Sequence, residues 1–294
     1  TTADGLPSYW VGALYEDAQG VIWVGTGSEW GGSGGVARFD AKGTLPLPES
    51  LAGIDDNVVA IAGDAAGRVW LVGTRLRYWD GNRLVDLTAN LDPAPVALNS
   101  VLSDREGRIW VAGASAGGGG FWCVESDSTL VWHATSMPVQ SMAQDLKGGL
   151  WLGVGQWEEP DSAGQILRFR GDSLEVVPRT WTLSGMVRDI TVTPDGDVWF
   201  AVMGSAGGVL HFDGQRFEEF GTADGIGNHG ASSLAIDREG ALWVGTGHHA
   251  TGRGVLRFDR DRLVSYTWAD GIGEVYDLGE DGNGHLWLAG RRTL

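Results

Sequence analysis

One short pattern recurs along the 294-residue chain and limits the folds open to it. An aspartate is followed three residues later by a glycine and six residues later by a tryptophan, seven times in all, with Thr193 replacing the aspartate in the fifth copy. The seven tryptophans recur every 40 to 48 residues and are Trp23, Trp70, Trp110, Trp151, Trp199, Trp243 and Trp287. A period of this length is typical of the four-stranded blades of β-propellers.

Each repeat reads as a series of short strands. An apolar residue stands nine positions before every tryptophan, in runs such as Ser233 to Ile236 that predict a first strand. The aspartate can accept backbone N–H groups and the glycine can adopt positive φ, so the segment between them predicts a tight turn into a second strand that carries the tryptophan. Six repeats continue with two further apolar runs. Glycines fall too often for a helix, because each costs about 1 kcal/mol in a helix interior.

These elements predict an all-β fold: a seven-bladed β-propeller of four-stranded antiparallel blades, forming a single domain over residues 1–294. The sequence contains seven first-and-second strand pairs but only six third-and-fourth pairs, so we expect the last blade to be incomplete in this chain. Residues 2–6 are similar to the linkers at 222–226 and 268–272, each of which follows a fourth strand. We therefore expect the segment to be excised from a longer repeat array.

Charge and composition exclude several classes of function. Lys and Arg number 21 against 38 Asp and Glu, which gives a net charge of −17. Such a surface repels phosphate backbones and anionic lipid, so we predict neither a nucleic-acid partner nor membrane contact by this segment. Nucleophilic triads, phosphate-binding loops, dinucleotide fingerprints and zinc spacings are absent from the sequence, and we predict no catalytic residues, no cofactor and no metal site.

Candidate binding residues lie in loops of variable length, where recognition usually resides on a rigid scaffold. We predict that the loops after the second strands and the linkers between blades share one face. The candidates are Glu29, Trp30, Trp157, Glu158, Arg188, His229 and His248. An aromatic side chain beside a carboxylate, as at Trp30 and Trp157, suits a sugar ring, although simple packing over a blade edge explains these tryptophans equally well. Adjacent histidines such as His248 and His249 rarely converge on one ion, so they predict no metal site.

The repeat resembles the two-component regulator propeller repeat, whose pattern is D-x-x-G-x-(I/L)-W-V-G-T followed by G-(L/V)-x-R-F-D. Residues 237–246 with 254–259 match this pattern almost throughout, as do residues 17–26 with 35–40. The resemblance extends over the whole chain. It implies the extracytoplasmic sensor region of a membrane-bound signalling protein, at the periplasmic side or the cell surface.

Three hypotheses about function follow. The first is a non-catalytic propeller that senses a small molecule or an oligosaccharide, or binds a protein partner. The second is an enzyme, because propeller lyases and several glycan-cleaving enzymes share the G-x-(I/L)-W pattern, and His229 with Glu158 or Glu159 would form an acid/base pair. The third is a structural scaffold that binds no small ligand.

Overall fold

The computed structural model describes residue 2 and residues 5–27, 33–156, 164–226, 230–247, 254–259 and 262–291. Regular structure in these ranges is β-strand, apart from short 3-10 turns at Glu49–Leu51, Thr88–Asn90, Thr222–Asp224 and Trp268–Asp270. The prediction of an all-β fold is therefore confirmed. Within the described ranges, no helix has the length and apolar character needed to cross a membrane.

The chain divides into two compact units. Unit 1 comprises Thr1–Pro138 with Asp281–Asn283, and unit 2 comprises Val139–Glu280 with Gly284–Leu294. A single domain over residues 1–294 stays a prediction.

Unit 1 contains three four-stranded antiparallel sheets, in each of which consecutive strands pair. Blade 1 has β1 (Val11–Glu16), β2 (Ile22–Thr26), β3 (Gly35–Asp40) and β4 (Gly43–Leu45). Blade 2 has β5 (Val58–Gly63), β6 (Val69–Gly73), β7 (Leu76–Trp79) and β8 (Leu84–Asp86). Blade 3 has β9 (Pro95–Ser103), β10 (Ile109–Ser115), β11 (Gly118–Ser126) and β12 (Thr129–Thr135).

Unit 2 repeats this arrangement and adds a smaller sheet. Blade 4 has β13 (Val139–Gln144), β14 (Leu150–Val154), β15 (Gln165–Arg170) and β16 (Ser173–Val176). Blade 5 has β17 (Ser184–Val192), β18 (Val198–Ala206), β19 (Gly208–Phe212) and β20 (Phe217–Phe220). Blade 6 has β21 (Ser233–Ile236), β22 (Leu242–Thr246), β23 (Gly254–Asp259) and β24 (Arg262–Tyr266), and the seventh sheet has β25 (Glu274–Glu280) and β26 (Leu286–Arg291).

The fold is thus an all-β propeller of four-stranded antiparallel blades, but the prediction of seven blades needs correction. The described residues form six four-stranded blades and one two-stranded sheet. The seventh repeat supplies only a first and a second strand in these ranges, because no third apolar run follows Trp287 in the sequence. The strand count read from the sequence agrees with this result.

The repeat tryptophans occupy equivalent positions, as predicted. Each pairs with the first-strand residue eight positions earlier, for example Trp23 with Tyr15 and Trp287 with Gly279. The indoles of blades 1 to 4 are buried, and those of blades 5 and 6 and the seventh sheet are half-buried. Their apolar surroundings come from two adjacent blades, as where Trp151 of blade 4 shares a cluster with Phe200 of blade 5. The core of each unit therefore lies between neighbouring blades.

The spacing of the repeat has a structural cause. In the turn of blade 1, Oδ1 of Asp17 accepts the N–H groups of Gln19 and Val21, and Gly20 has φ of 76°. Oδ2 of the same carboxylate accepts the indole N–H of Trp23 at 2.7 Å. The aspartate thus fixes both the turn and the tryptophan, and the same indole bond forms in blades 2, 3 and 6.

Candidate functional site

Only one of the seven sequence-predicted site residues can be placed. Glu29, Trp30, Trp157, Glu158, His229 and His248 lie outside the described residues. Arg188 lies on β17, the first strand of blade 5, and its side chain is half-buried. The candidate site is therefore built outward from Arg188.

Arg188 occupies a β-bulge. Its neighbours Val187 and Asp189 pair with the consecutive residues Val202 and Ala201 of β18, so Arg188 has no pairing partner on that strand. A bulge inserts one extra residue into a strand and redirects its side chain out of the normal alternation. The backbone of β17 thus gives Arg188 an orientation that a regular strand would not.

The same bulge recurs along the chain, eleven residues before six of the seven repeat tryptophans. In unit 1 it falls at Gly12, Val59 and Asn99. In unit 2 it falls at Gln140, Arg188 and Tyr276, and Ser232 holds the equivalent position directly before β21. We call Gln140, Arg188, Ser232 and Tyr276 the bulge row. Its members lie on or next to β13, β17, β21 and β25, which contact one another in that order.

The bulge row combines constant geometry with variable chemistry. The tryptophan recurs in every repeat and the turn aspartate in six, as residues that maintain a fold do. The bulge position is instead glycine, valine and asparagine in unit 1 and glutamine, arginine, serine and tyrosine in unit 2. The fold fixes the backbone of the bulge position but does not require a particular side chain there, so this side chain can serve recognition. In unit 2 every side chain at this position has a hydrogen-bonding group.

Most members of the bulge row have a fixed polar contact. Nε2 of Gln140 donates to the carbonyl of Gly155 at 2.8 Å. The hydroxyl of Tyr276 donates to the carboxylate of Glu274 at 2.5 Å, and that glutamate is buried. Ser232 is also buried and donates to the carbonyl of Val275. Ser232 therefore joins adjacent strands, while these hydrogen bonds orient the side chains of Gln140 and Tyr276.

The residues that follow the bulges at Gln140 and Arg188 connect neighbouring blades of unit 2. Ser141 donates from Oγ to the carbonyl of Val187 at 3.1 Å. Asp189 accepts the N–H of Leu234 at 2.7 Å on Oδ2 and the N–H of Ile190 at 2.8 Å on Oδ1. The equivalent residues of blades 1 and 2 are alanines, which make no such bonds.

Asp189 is electrostatically unusual. Burial raises the pKa of its carboxyl to about 6, and the two backbone N–H donors and the nearby Arg188 only partly offset that effect. A group with this pKa exchanges protons near neutral pH, although both of its oxygens already serve a contact within or between blades. Among the described residues, no three His, Cys, Asp or Glu side chains are grouped to hold a metal ion.

The arginines that recur in the third strands stabilise the fold. The guanidinium groups of Arg38, Arg168 and Arg257 lie over the indoles of Trp23, Trp151 and Trp243 at 4.4 to 5.5 Å. Arg77 differs, because it pairs with Asp56 at 2.7 Å and with Asp86. These cations stabilise blades and do not belong to the candidate site.

In blades 2, 3 and 5 the repeat tryptophan is covered by a different side chain, which the sequence analysis did not identify. In blades 2 and 3 the cation over the tryptophan comes from the turn, as Arg68 and Arg108. In blade 5 the turn supplies Asp197 at that position and the third strand supplies His211, which stacks on Trp199. These pairs could have been identified by comparing one position across the repeats, the residue four positions after the first residue of each turn.

Fold and site together define a class of protein: a tandem-repeat β-propeller whose first strands present polar side chains at a bulge that recurs in most of its repeats. Residues 5–28 match the family model described as two component regulator propeller. These residues therefore carry a copy of the two-component regulator propeller repeat, and the resemblance inferred from the sequence is confirmed. No curated protein matches the sequence.

Several solved structures share this fold. The extracellular domain described as that of a hybrid two component system from B. thetaiotaomicron is 18% identical, with a TM-score of 0.73 over 97% of this chain and 38% of that chain. Virginiamycin B lyase from Staphylococcus aureus is 13% identical, with a TM-score of 0.66 over 97% of this chain and 93% of that chain. YCF48 bound to D1 peptide is 12% identical, with a TM-score of 0.68 over 98% of this chain and 91% of that chain. Identities this low show the fold alone, and the chain spans less than two fifths of the sensor domain.

Proposed function

We propose that this chain is a non-catalytic ligand-sensing or interaction propeller that works outside the cytoplasm. The observation that carries the proposal is the bulge row, where constant backbone geometry presents variable hydrogen-bonding side chains. Sensors need such positions, because their ligands differ while their scaffold is retained. The repeat family and the extracellular sensor domain that shares the fold support the extracytoplasmic location.

The turn carboxylates of blades 2, 4 and 6 have lowered pKa values and stabilise the fold. Burial alone would raise the pKa of Asp64, but hydrogen bonds from Trp70 and Arg68 lower it below its usual range. Asp145 and Asp237 have lowered pKa values for similar reasons, with arginine as a partner in both. Carboxylates held in this way are committed to the turns and are poor proton donors at neutral pH.

The loop residues that the sequence predicts as a binding site also support the proposal. Trp30 with Glu29 and Trp157 with Glu158 combine an aromatic face with a hydrogen-bonding group, the chemistry that an oligosaccharide or small polar ligand requires. His229 and His248 would add further donors. A protein partner is the remaining class of ligand for this surface.

An enzyme of the lyase or glycan-cleaving type is the second candidate. Similarity to virginiamycin B lyase covers 93% of that protein, so the two chains are close in extent. Its acid/base groups would be His229 with Glu158 or Glu159, and Asp189 would add a carboxyl that titrates near pH 6.

Calorimetry with a panel of neutral and acidic oligosaccharides and small organic acids tests binding, and mass spectrometry of the same mixtures tests turnover. We expect heat of binding, weakened in the Trp30→Ala or Trp157→Ala variant, without a new product. Binding that both variants leave unchanged would place the site elsewhere. A product that disappears in the His229→Ala or Glu158→Ala variant would establish the enzyme instead.

A further inference from the structure

We propose that Arg38 of blade 1 binds a carboxylate group that is joined to an apolar group. Arg38 lies on β3, a third strand, so this site is separate from the bulge row and from the proposed function. Three observations support it: the guanidinium has no acceptor, the equivalent arginines of other blades have acidic partners, and two indoles hold Arg38 in place.

The guanidinium of Arg38 has neither a hydrogen-bond acceptor nor an ion-pair partner in the part of the chain that the structure describes. Its Nε is buried without a partner, although the residue as a whole is half-buried. Buried polar groups of folded proteins nearly always have a partner, so an exception needs an explanation. The two Nη nitrogens are not buried, which leaves that edge of the guanidinium open to a ligand.

The arginines at the same position of blades 4 and 6 have acidic partners. Arg168 and Arg257 each form an ion pair with the aspartate of their own turn. In blade 1 the turn aspartate is Asp17, which accepts two backbone N–H groups of the turn and the indole N–H of Trp23. It forms no ion pair with Arg38, so a carboxylate from outside the chain would supply the acidic partner that the other two blades provide internally.

Two indoles hold the guanidinium of Arg38 in place. Its Cζ lies 4.7 Å from the ring centroid of Trp23 and 5.5 Å from that of Trp79 in blade 2. Four other blades have phenylalanine at the position of Trp79, and the indole of Trp79 is itself fixed by donating to Oγ of Ser50 at 3.2 Å. A cation–π contact orients a cation without neutralising its charge, so Arg38 is preorganised for an anion.

The surroundings of Arg38 define the class of anion. The two oxygens of a carboxylate match the two Nη nitrogens through parallel hydrogen bonds. A dianion such as a phosphate ester is disfavoured, because the chain has a net charge of −17 and the carboxylate of Asp17 lies beside the same indole of Trp23. Trp79 is only half-buried, so its ring offers apolar surface next to the cation. The ligand therefore combines one carboxylate with an apolar group.

Both a free organic acid and an acidic side chain of a protein partner contain such a carboxylate, and two matched pairs of probes separate these sources. Benzoate is compared with benzamide, and capped phenylalanyl-glutamate amide with capped phenylalanyl-glutamine amide. Calorimetry with the full chain at probe concentrations up to about 20 mM measures the affinities. We expect the anion of at least one pair to bind and its neutral counterpart to bind at least about tenfold more weakly. The pair that responds identifies the source.

Variants identify the residue responsible. Arg38→Gln is expected to reduce the affinity for the anion at least about tenfold, because it removes a charge-assisted bidentate contact. Trp79→Phe keeps the charge and should reduce the affinity less, since phenylalanine attracts a cation more weakly than tryptophan does. Arg216→Gln is the matched control: it changes the net charge equally, at an exposed arginine between β19 and β20. Circular dichroism and Tm verify that each variant is folded.

Chemical modification tests the site in the unaltered protein. Phenylglyoxal reacts with accessible guanidinium groups, and mass spectrometry of proteolytic fragments measures the rate of reaction at each arginine. Benzoate or the glutamate peptide, at a concentration that saturates binding, should slow the modification of Arg38 and leave that of Arg216 unchanged.

Three results would overturn the inference: no binding of either anion or equal affinity for an anion and its neutral counterpart, unchanged affinity in Arg38→Gln, or no selective protection of Arg38 from phenylglyoxal. None of them overturns the proposed function, which concerns other residues and is tested by the Trp30 and Trp157 variants with the wider ligand panel.

Discussion

Nε2 of His211 lies 2.7 Å from Oδ2 of Asp197, and the imidazole stacks on the indole of Trp199 with ring centroids 4.1 Å apart. In blades 1, 4 and 6 an arginine of the third strand holds this position over the tryptophan. Blade 5 thus replaces the guanidinium with an imidazole. Its surroundings are acidic, since Glu218 of β20 lies 3.9 Å from Nδ1.

We predict that His211→Arg stabilises the protein at neutral pH. An imidazole is charged only when protonated, whereas a guanidinium is always charged. The substitution therefore places a permanent cation over Trp199 and opposite Asp197, for a gain of about 0.5 to 2 kcal/mol in the free energy of unfolding. Urea denaturation of the two proteins measures the difference.

The double variant His211→Arg with Asp197→Asn is the control for this prediction. Removing the carboxylate should abolish most of the gain, because the cation then lacks its partner. An equal gain with and without the carboxylate of Asp197 would contradict the prediction, since it would show that this contact does not stabilise blade 5.

A second prediction concerns two buried tryptophans with different hydrogen bonds. The indole N–H of Trp70 donates to Asp64 at 2.8 Å, whereas that of Trp151 has no partner among the described residues, because Arg168 bonds to Asp145 instead. Trp70→Phe should therefore cost about 1 to 3 kcal/mol more than Trp151→Phe, since only the former removes a hydrogen bond to a charged group. Equilibrium denaturation of the two variants compares them directly, and equal costs would refute the explanation.

Much of the fold could be predicted from the sequence because the repeat arises from contacts between residues that are close together in the chain. The aspartate, glycine and tryptophan are joined within one turn and two strands, so their spacing is constant and readable. The count of strands in the seventh repeat follows from the same pattern. The indole bond from Trp23 to Asp17 could not be read, because it depends on the three-dimensional direction of a side chain.

Less of the candidate site could be predicted, for a physical reason. Loop residues such as Trp30 and His248 were chosen because they depart from the repeat, yet the bulge row is part of the repeat and varies only in its side chains. Arg188 was identified as a charged residue on a linker, whereas the structure places it on β17. Arg188 lies in a bulge because the register between β17 and β18 shifts at this residue. Composition and spacing do not encode this relationship between strands.

A third prediction tests how closely adjacent blades approach. A Cβ atom added to Gly153 would lie 2.5 Å from Oγ of Ser141 and 2.6 Å from Cγ1 of Val187 in the next blade. Gly153→Ala should therefore destabilise the protein by about 1 to 3 kcal/mol through overpacking. Gly53→Ala is the control, because nothing lies within 4 Å of its added Cβ, and it should change stability by less than about 0.5 kcal/mol. Two variants of equal stability would show that this contact is not tight.

The last prediction concerns the pH dependence that Asp189 imposes. Burial raises the pKa of its carboxyl from 3.8 to about 6, so the folded protein holds this proton more tightly than the unfolded chain does. The corresponding stability is fully present below about pH 4 and is lost as the pH rises through about 6. Its total size is about 1 to 3 kcal/mol, since each pKa unit corresponds to about 1.4 kcal/mol.

Asp189→Asn should remove this decline, so that the free energy of unfolding becomes flatter between pH 4.5 and pH 7.5. The slope is the decisive quantity, because asparagine offers one acceptor to the two N–H groups of Ile190 and Leu234 and will shift the absolute stability as well. Asp172→Asn makes the same change of charge at an exposed turn and should retain the slope. The turn carboxylates Asp64, Asp145 and Asp237 act in the opposite direction, because their lowered pKa values add stability that is lost on acidification, but that loss falls below the ordinary range of aspartate and outside this window. A wild-type curve that does not decline between pH 4.5 and pH 7.5, or a decline that survives in Asp189→Asn, would contradict the prediction, because the pH dependence in this window would then not come from Asp189.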